Sequence, residues 1–76
     1  MRKAVKKFAE EMELVLQKND HKGGWDGISI DYLEHRLVEE MGEYFAGCYD
    51  GNIKKFARRK ELVDIANFCM MLHEQI

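Results

Sequence analysis

The sequence of 76 residues contains no proline and only two cysteines, and neither sign of charge predominates. Without proline, no position is barred from a helix for lack of a backbone N–H. Two cysteines form at most one disulfide, which is too few for the disulfide framework of a small secreted domain. The net charge of -2 argues against bulk binding to nucleic acid or to an anionic membrane. We therefore expect a cytoplasmic protein with reduced thiols.

The sequence also lacks long apolar runs. The longest uncharged apolar stretch, residues 65–73, is about half as long as a membrane-spanning helix requires. Charged residues follow the basic start at residues 1–3 and interrupt any apolar run, so we expect no targeting segment. Hydrophobic residues still make up 46% of the chain, which predicts one small folded domain over residues 1–76. A domain of this size usually needs a disulfide, a metal or a partner subunit for stability.

Hydrophobic periodicity divides the chain into three predicted helices separated by two turn-rich breaks. The first covers residues 3–18, with apolar residues recurring on one face. The second starts near Ser29 or Asp31, either of which can cap a helix, and ends within residues 49–52. The third starts at about Lys60, after a basic stretch over residues 53–59 that is either a connector or a single helical turn. The predicted fold class is therefore all-α, a short helical bundle.

The predicted third helix differs from the other two because apolar residues lie on nearly all of its sides. A helix that is apolar all round must be buried all round. Two neighbouring helices of the same short chain cannot enclose it, so we expect a homo-oligomer, either a dimer or a tetramer. Cys48 and Cys69 both fall on apolar stripes, and we interpret them as buried core thiols. The apolar residues of the third helix are Leu62, Val63, Ile65, Ala66, Phe68, Cys69, Met70, Met71 and Leu72.

Acidic residues three positions apart lie on one face of a helix and can share a cation. The fourteen acidic residues would form about two such pairs by chance. Four pairs occur: Glu10/Glu13, Asp31/Glu34, Glu40/Glu43 and Glu61/Asp64. The first pair lies opposite an apolar stripe and the second lies in a first helical turn, so solvation and capping explain both. The last two pairs border buried faces, where unpaired charges are costly, and a divalent cation between the two helices would satisfy both.

An alternative interpretation is a salt bridge at the edge of the bundle, in which a nearby cation neutralises Glu40 and Glu61. The candidate cations are Arg36, Arg58 and Lys60. By position alone, the metal and the salt bridge are about equally good explanations. The third helix favours the metal, because the one near cation for Asp64 is Lys60, which also neighbours Glu61. For Arg36, a salt bridge with Glu40 is the favoured role.

Two acidic motifs follow each other along the chain, EExxE over residues 39–43 and ExxD over residues 61–64. Seventeen residues, 44–60, separate them. This order and spacing resemble the all-α nucleoside triphosphate pyrophosphohydrolase superfamily, which includes MazG, the dimeric dUTPases and phosphoribosyl-ATP pyrophosphohydrolase. The loop at residues 22–25 and the tail after the second motif are similar to the small MazG-like proteins in particular. The resemblance covers residues 18–72, most of the chain.

The resemblance implies a MazG-like domain that hydrolyses a (deoxy)nucleoside triphosphate to the monophosphate and pyrophosphate, with Mg²⁺ as cofactor. It implies Mg²⁺ ligands at Glu40, Glu43, Glu61 and Asp64, with Mn²⁺ as a substitute ion. It also implies that Glu39 is an outer-shell acid or a base that positions the attacking water.

Five residues are candidates for contacts with the nucleotide. Lys54 and Lys60 belong to a basic stretch that is either a solvated connector or a contact for the triphosphate. Asn67 orients a metal ligand or contacts the sugar or base, or else is a buried amide bonded across subunits; the resemblance favours the functional role. Trp25 either stacks on a base or caps a small core, and Lys22 shares that ambiguity.

The alternative function is a non-catalytic helical oligomer that serves as an interaction or regulatory module. Acids on the borders of buried faces favour the enzyme, because a packing module gains nothing from them. A di-iron carboxylate bundle would need Glu-x-x-His pairs, which the sequence does not contain. We expect a nucleoside triphosphate as substrate and no nucleic acid or membrane as partner.

Overall fold

The computed structural model describes residues 1–50 and 55–76, and these form three α-helices with no strand among them. The predicted all-α class is therefore confirmed. None of the described helices is both long enough and apolar enough to span a bilayer. The helices are α1 (Lys3–Lys18), α2 (Ile30–Asp50) and α3 (Lys55–Gln75), with a 3₁₀ turn over Asp20–Lys22 between α1 and α2.

The first helix begins and ends where its periodicity predicts. Asn19 stops α1, because its side-chain amide donates to the Val15 carbonyl at 3.0 Å and its backbone N–H donates to the Leu16 carbonyl at 3.1 Å. Gly23 and Gly27 follow with φ values of 89° and 86°, which residues with a side chain rarely adopt. These two glycines allow the chain to turn from α1 towards α2.

Ser29, one of the two predicted caps, starts the second helix. Its Oγ accepts a hydrogen bond from the backbone N–H of Tyr32 at 3.1 Å, which is the geometry of a helix N-cap. Asp31 consequently lies within the first turn of α2, where the helix dipole favours an acidic side chain.

The third helix begins at Lys55, five residues before the predicted start at Lys60. The prediction that residues 55–59 precede the helix, as a connector or a single helical turn, was therefore wrong. Lysine, alanine and arginine favour the helix, and neither glycine nor proline interrupts this stretch, so local propensity extends α3 towards its N-terminus.

The central helix of the fold is α3, which packs against both α2 and α1, whereas among the described residues no Cα atom of α1 lies within 8 Å of one in α2. α2 and α3 run antiparallel: Arg36 lies over Phe68, and Tyr44, further along α2, accepts a hydrogen bond from Arg58, nearer the start of α3. The buried residues are the apolar Leu33, Val63 and Leu72 and the polar Glu40 and Asn67. A core with so few apolar residues leaves much apolar surface exposed.

One side of the α2–α3 pair is apolar and uncovered, and we refer to it as the open face. It is formed by Val38, Met41 and Phe45 of α2 with Leu62 and Cys69 of α3. Val38 is 68% exposed, Phe45 50% and Leu62 41%. At about 100° per residue, the α2 residues and the α3 residues of the open face lie on the same side of the antiparallel pair. This side is opposite the one on which α1 packs. The third helix thus exposes apolar side chains to water on the side that neither α1 nor α2 covers.

The cysteines differ in their surroundings. Cys48 is half-buried, whereas Cys69 is exposed on the open face. The prediction of two buried core thiols was therefore wrong for Cys69 within a single chain, because its side of α3 has no neighbour.

Candidate metal centre and adjoining groove

Three carboxylates from α2 and α3 meet between these two helices. Glu40 and Glu43 lie on one face of α2, because they are three residues apart. The antiparallel packing of α3 brings Glu61 next to them. One carboxylate oxygen from each residue lies within 4.8 Å of the other two. Three of the four predicted metal ligands are therefore close together, and we refer to these three as the acidic cluster.

The acidic cluster is partly shielded from water. Glu40 is 8% exposed, and Glu61 is half-buried with its Oε2 atom buried and without a hydrogen-bond partner. Burial raises the pKa of Glu61, and a hydrogen bond with Glu40 and the negative charges of Glu40, Glu43 and Asp64 raise it further. Carboxylates held this close together need a proton or a cation between them.

Asp64, the fourth predicted ligand, borders the acidic cluster without belonging to it. Its Oδ2 atom lies 3.6 Å from the Nζ atom of Lys60, whose side chain is 66% exposed. The charge of Asp64 acts on Glu61, which lies three residues earlier on α3. Asp64 thus neighbours Glu61 on α3 but is paired with Lys60.

Arg36 neutralises part of the negative charge on α2. One guanidinium nitrogen donates to Glu40 Oε1 at 3.0 Å, and the other donates to Glu39 Oε2 at 2.8 Å. The guanidinium also lies over the ring of Phe68, 5.3 Å from its centroid. The second oxygen of Glu39 is 3.1 Å from Nε2 of His35. The predicted salt bridge between Arg36 and Glu40 is confirmed.

Glu61 has no comparable partner. The other arginine considered for this role, Arg58, donates instead to the Tyr44 hydroxyl at 3.3 Å. Among the side chains of residues 1–48 and 57–76, no lysine, arginine or histidine lies within 4.0 Å of the Glu61 carboxylate. The salt-bridge interpretation thus explains Glu40 but leaves Glu61 without a counter-charge.

A groove of about 510 Å³ lies beside the acidic cluster, with α3 as its floor and α1 and α2 as its walls. Of the acidic cluster, Glu40 belongs to the groove lining, as does the neighbouring Asp64, so the groove adjoins the cluster at Glu40. Three of the predicted substrate-binding residues also line the groove, namely Lys22, Lys60 and Asn67. The remaining lining combines the apolar side chains Val15, Leu16, Phe68 and Met71 with the polar Lys18, Asn19 and Arg36.

Asn67 is a buried amide in the floor of this groove, with 4% of its surface exposed. Its Nδ2 atom donates to the backbone carbonyl of Met12 at 3.3 Å, which ties α3 to α1. Its Oδ1 atom is buried and has no hydrogen-bond partner. One half of the amide therefore supports the fold, and the other half has no partner in the part of the chain that the structure describes.

The remaining two predicted substrate contacts lie elsewhere. Trp25 packs at the C-terminal end of α3, where its indole N–H donates to Glu74 Oε2 at 3.2 Å and its carbonyl accepts from Gln75 Nε2 at 2.9 Å. Its side chain is not part of the groove lining, and these contacts favour the core-capping interpretation. Lys54 lies outside the residues that the structure describes.

Some groove residues were not among the predicted site residues. Phe68 and Met71 were assigned only to the apolar surface of α3, and Lys18 and Asn19 were assigned only to the end of α1. Their contribution depends on how α1 crosses α3, which residue spacing does not specify. The contacts of Arg36, in contrast, follow from the i,i+3 and i,i+4 spacing to Glu39 and Glu40.

Comparisons of the chain with protein-family models, with curated proteins and with solved structures found no match. The function is therefore inferred from the residues of the acidic cluster and the groove.

Proposed function

We propose that this chain is a Mg²⁺-dependent nucleoside triphosphate pyrophosphohydrolase. In this proposal it hydrolyses a (deoxy)nucleoside triphosphate to the monophosphate and pyrophosphate, as the MazG-like resemblance implies. The observation that carries the proposal is the position of the acidic cluster, which adjoins a groove that also holds lysine and arginine side chains. Carboxylates to hold a cation and basic groups to hold phosphates are the two requirements of this chemistry.

The acidic cluster suits a hard divalent cation. Mg²⁺ takes oxygen ligands from carboxylates, phosphates and waters. The unpartnered Oε2 atom of Glu61 and the like charges around it are features that such an ion would satisfy. Glu40, Glu43 and Glu61 would hold the ion, and Asp64 would complete the set from the edge of the cluster. When bound, Mg²⁺, or Mn²⁺ in its place, neutralises phosphate charge and lowers the pKa of a bound water.

The basic residues of the groove are assigned to the phosphate chain. Arg36, Lys22 and Lys60 line the groove, and hydrogen bonds from charged donors to phosphate oxygens are among the stronger ones in proteins. We assign Lys54 to the same role from the resemblance. From the resemblance, we assign Glu39 to aligning the attacking water and accepting its proton. Its carboxylate is paired with Arg36 and His35 and is not part of the groove lining, so this role requires that these ion pairs open.

The nucleoside part of the substrate would lie further into the groove. Phe68 and Met71 provide apolar surface for a base, and Asn67 provides a polar group beside them. Trp25 as a base-stacking residue stays a prediction, and its bonds to Glu74 and Gln75 support the alternative role.

We further propose that a second copy of the chain covers the open face and completes the bundle as a dimer or tetramer. The exposed Val38, Phe45 and Leu62 form an apolar stripe across two helices, which is more typical of an interface than of isolated surface residues. The open face lies opposite α1, so pairing through it leaves the groove accessible to substrate. The same stripe is the observation that favours the second candidate function, a non-catalytic oligomeric module.

A nucleotide panel tests the catalytic proposal. Purified protein is incubated with each common ribo- and deoxyribonucleoside triphosphate and Mg²⁺, and pyrophosphate release is measured. We expect release from at least one triphosphate and a large loss of turnover in Glu61→Gln and Asp64→Asn. Glu10→Gln is the matched control, because Glu10 is an exposed acid on α1. Equal turnover in all three variants would exclude the acidic cluster as the site of reaction.

A further inference from the structure

The groove contains one buried hydrogen-bond acceptor whose direction is fixed by the fold. A backbone carbonyl can accept but cannot donate a hydrogen bond, so the Met12 carbonyl must face the NH₂ group of the Asn67 amide. The hydrogen bond between Asn67 Nδ2 and the Met12 carbonyl therefore fixes the orientation of the side-chain amide. The carbonyl oxygen, Oδ1, necessarily lies at the other end of the amide.

This oxygen is an unusual atom in the described chain. Asn67 is 4% exposed, and Oδ1 has no hydrogen-bond partner although it is buried. Buried polar atoms without a partner are uncommon in folded proteins, and each one costs free energy of folding. Because Asn67 is part of the groove floor, a ligand seated in the groove is a source of the missing donor.

The other residues of the groove indicate which ligand reaches this atom. Lys22, Lys60 and Arg36 give one part of the groove positive charge, whereas Phe68 and Met71 are apolar and lie on the same helix as Asn67. An anionic group at the basic residues would direct the uncharged part of the same ligand towards the floor. For a nucleotide, that uncharged part is the nucleoside.

We propose that Asn67 is a specificity-determining residue, whose Oδ1 atom accepts a hydrogen bond from a donor on the nucleoside part of the substrate. This inference rests on the proposed function, because it takes the ligand to be a nucleotide. The donor is an amino N–H of the base or an O–H of the sugar, since both offer the hydrogen that Oδ1 requires. A nucleoside without that donor leaves Oδ1 unsatisfied and binds more weakly.

A ligand reaches the buried Oδ1 atom only if α1 is displaced. The backbone of α1 packs against α3 and not closely against α2 in the described chain, and none of the α1 residues is fully buried. A small displacement of α1 would open the way to Oδ1 without disturbing the α2–α3 pair that carries the acidic cluster. The donor would then satisfy an atom that the described part of the chain leaves without a partner.

The test measures binding rather than hydrolysis, by titration calorimetry with non-hydrolysable α,β-methylene triphosphates and Mg²⁺. Each pair of ligands differs by one donor. Adenosine is compared with purine riboside and cytidine with 2-pyrimidinone riboside, which removes the amino group; deoxyribose is compared with dideoxyribose, which removes the 3′-hydroxyl. We expect the ligand without the donor to have a dissociation constant larger by about an order of magnitude or more, either in the two amino-group comparisons or in the 3′-hydroxyl comparison. The comparison that shows the difference also identifies the donor.

Two variants connect the effect to Asn67. Asn67→Leu has nearly the same shape but no acceptor, so the preference within the affected pair should disappear. Val15→Ala loosens the packing at the α1 wall while keeping Asn67, so the preference should persist. If Asn67→Leu does not fold, Asn67→Ala removes the same acceptor with a smaller side chain and should also lose the preference. Persistence of the preference without the Asn67 acceptor, or its loss in Val15→Ala, would overturn the proposal.

The outcome is separable from that of the proposed function. Hydrolysis of triphosphates with no donor-dependent binding in any pair would overturn the role of Asn67 and leave the pyrophosphohydrolase intact. Donor-dependent binding without hydrolysis of the natural triphosphates would support the role of Asn67 and contradict the proposed pyrophosphohydrolase activity. If none of the analogues binds, the groove is not a nucleoside site and the inference is wrong.

Discussion

Arg36 and Glu40 form a part-buried ion pair about one turn apart on α2, with the guanidinium donating to Glu40 Oε1 at 3.0 Å. The pair places a counter-charge on the α2 side of the acidic cluster. Glu61, which faces it from α3, has no such partner among the described residues, and the cluster is consequently asymmetric. The two helices should therefore respond differently to removal of charge.

Arg36→Met should destabilise the metal-free protein, because it leaves the buried carboxylate of Glu40 without its counter-charge while keeping an apolar contact with Phe68. We expect a loss of about 1–2 kcal/mol in the free energy of unfolding, less than for a fully buried pair. Urea unfolding in the presence of a chelator measures it. Arg59→Met is the control, since Arg59 is an exposed arginine on α3, and its effect should stay within about 0.5 kcal/mol. Equal losses in the two variants would mean that the ion pair adds nothing to stability.

Glu61→Gln should have the opposite effect on the metal-free protein. It removes a charge that Glu40 and Glu43 repel, so the melting temperature without metal should stay the same or rise. The same variant should lose the increase in melting temperature that Mg²⁺ gives to the wild type, because a ligand that binds only the folded state stabilises it by mass action. Differential scanning fluorimetry with and without Mg²⁺ measures both effects. A full Mg²⁺ increment in Glu61→Gln would show that the ion, if bound, lies elsewhere.

The raised pKa of Glu61 predicts a pH dependence of stability with a definite sign. The folded state holds this proton more tightly than the unfolded chain does. The stabilisation is therefore complete below the ordinary pKa of a glutamate, and it is lost as pH rises through the raised pKa of the folded state. The melting temperatures of the wild type and of Glu61→Gln are measured from about pH 4 to pH 8 in the presence of a chelator. The difference between the two curves gives the pH-dependent stabilisation that comes from Glu61. Parallel curves over that range would contradict it.

Phe45→Glu should convert the proposed oligomer to a monomer, because it puts a charge in the centre of the open face. Leu14→Glu is the matched control, since Leu14 is 58% exposed on α1, away from the open face, and Phe45 is 50% exposed. Light scattering at micromolar concentration should give a multiple of the 9.0 kDa chain mass for the wild type and for Leu14→Glu. A wild-type mass of one chain would refute oligomerisation.

The sequence predicted the helices well because helix formation is largely local. Apolar spacing located α1 to the residue, and Ser29 was correctly considered as a cap of α2. The start of α3 was misplaced because the basic residues 55–59 were interpreted as a solvated connector, although their helix propensity is good. Local charge patterns and local propensity conflict there, and the structure follows propensity.

The candidate site was predictable to the extent that it depends on spacing within one helix. Glu40 and Glu43 on one face of α2, and the contacts of Arg36 with its own helix, follow from that spacing. The approach of Glu61 follows once α2 and α3 pack antiparallel. The groove does not follow from spacing, because it depends on the angle at which α1 crosses α3. The unpartnered Oδ1 atom of Asn67 could be recognised only after the partner of Nδ2 was located in α1.

The products formed from a nucleoside triphosphate with Mg²⁺ distinguish a pyrophosphohydrolase from a phosphatase and from a non-catalytic module. The best substrate of the nucleotide panel is incubated with the protein in ¹⁸O-labelled water, and the products are separated by chromatography and weighed by mass spectrometry. We expect a nucleoside monophosphate and pyrophosphate, one of them carrying the label. Release of a nucleoside diphosphate and orthophosphate, or no hydrolysis of any triphosphate, would contradict it.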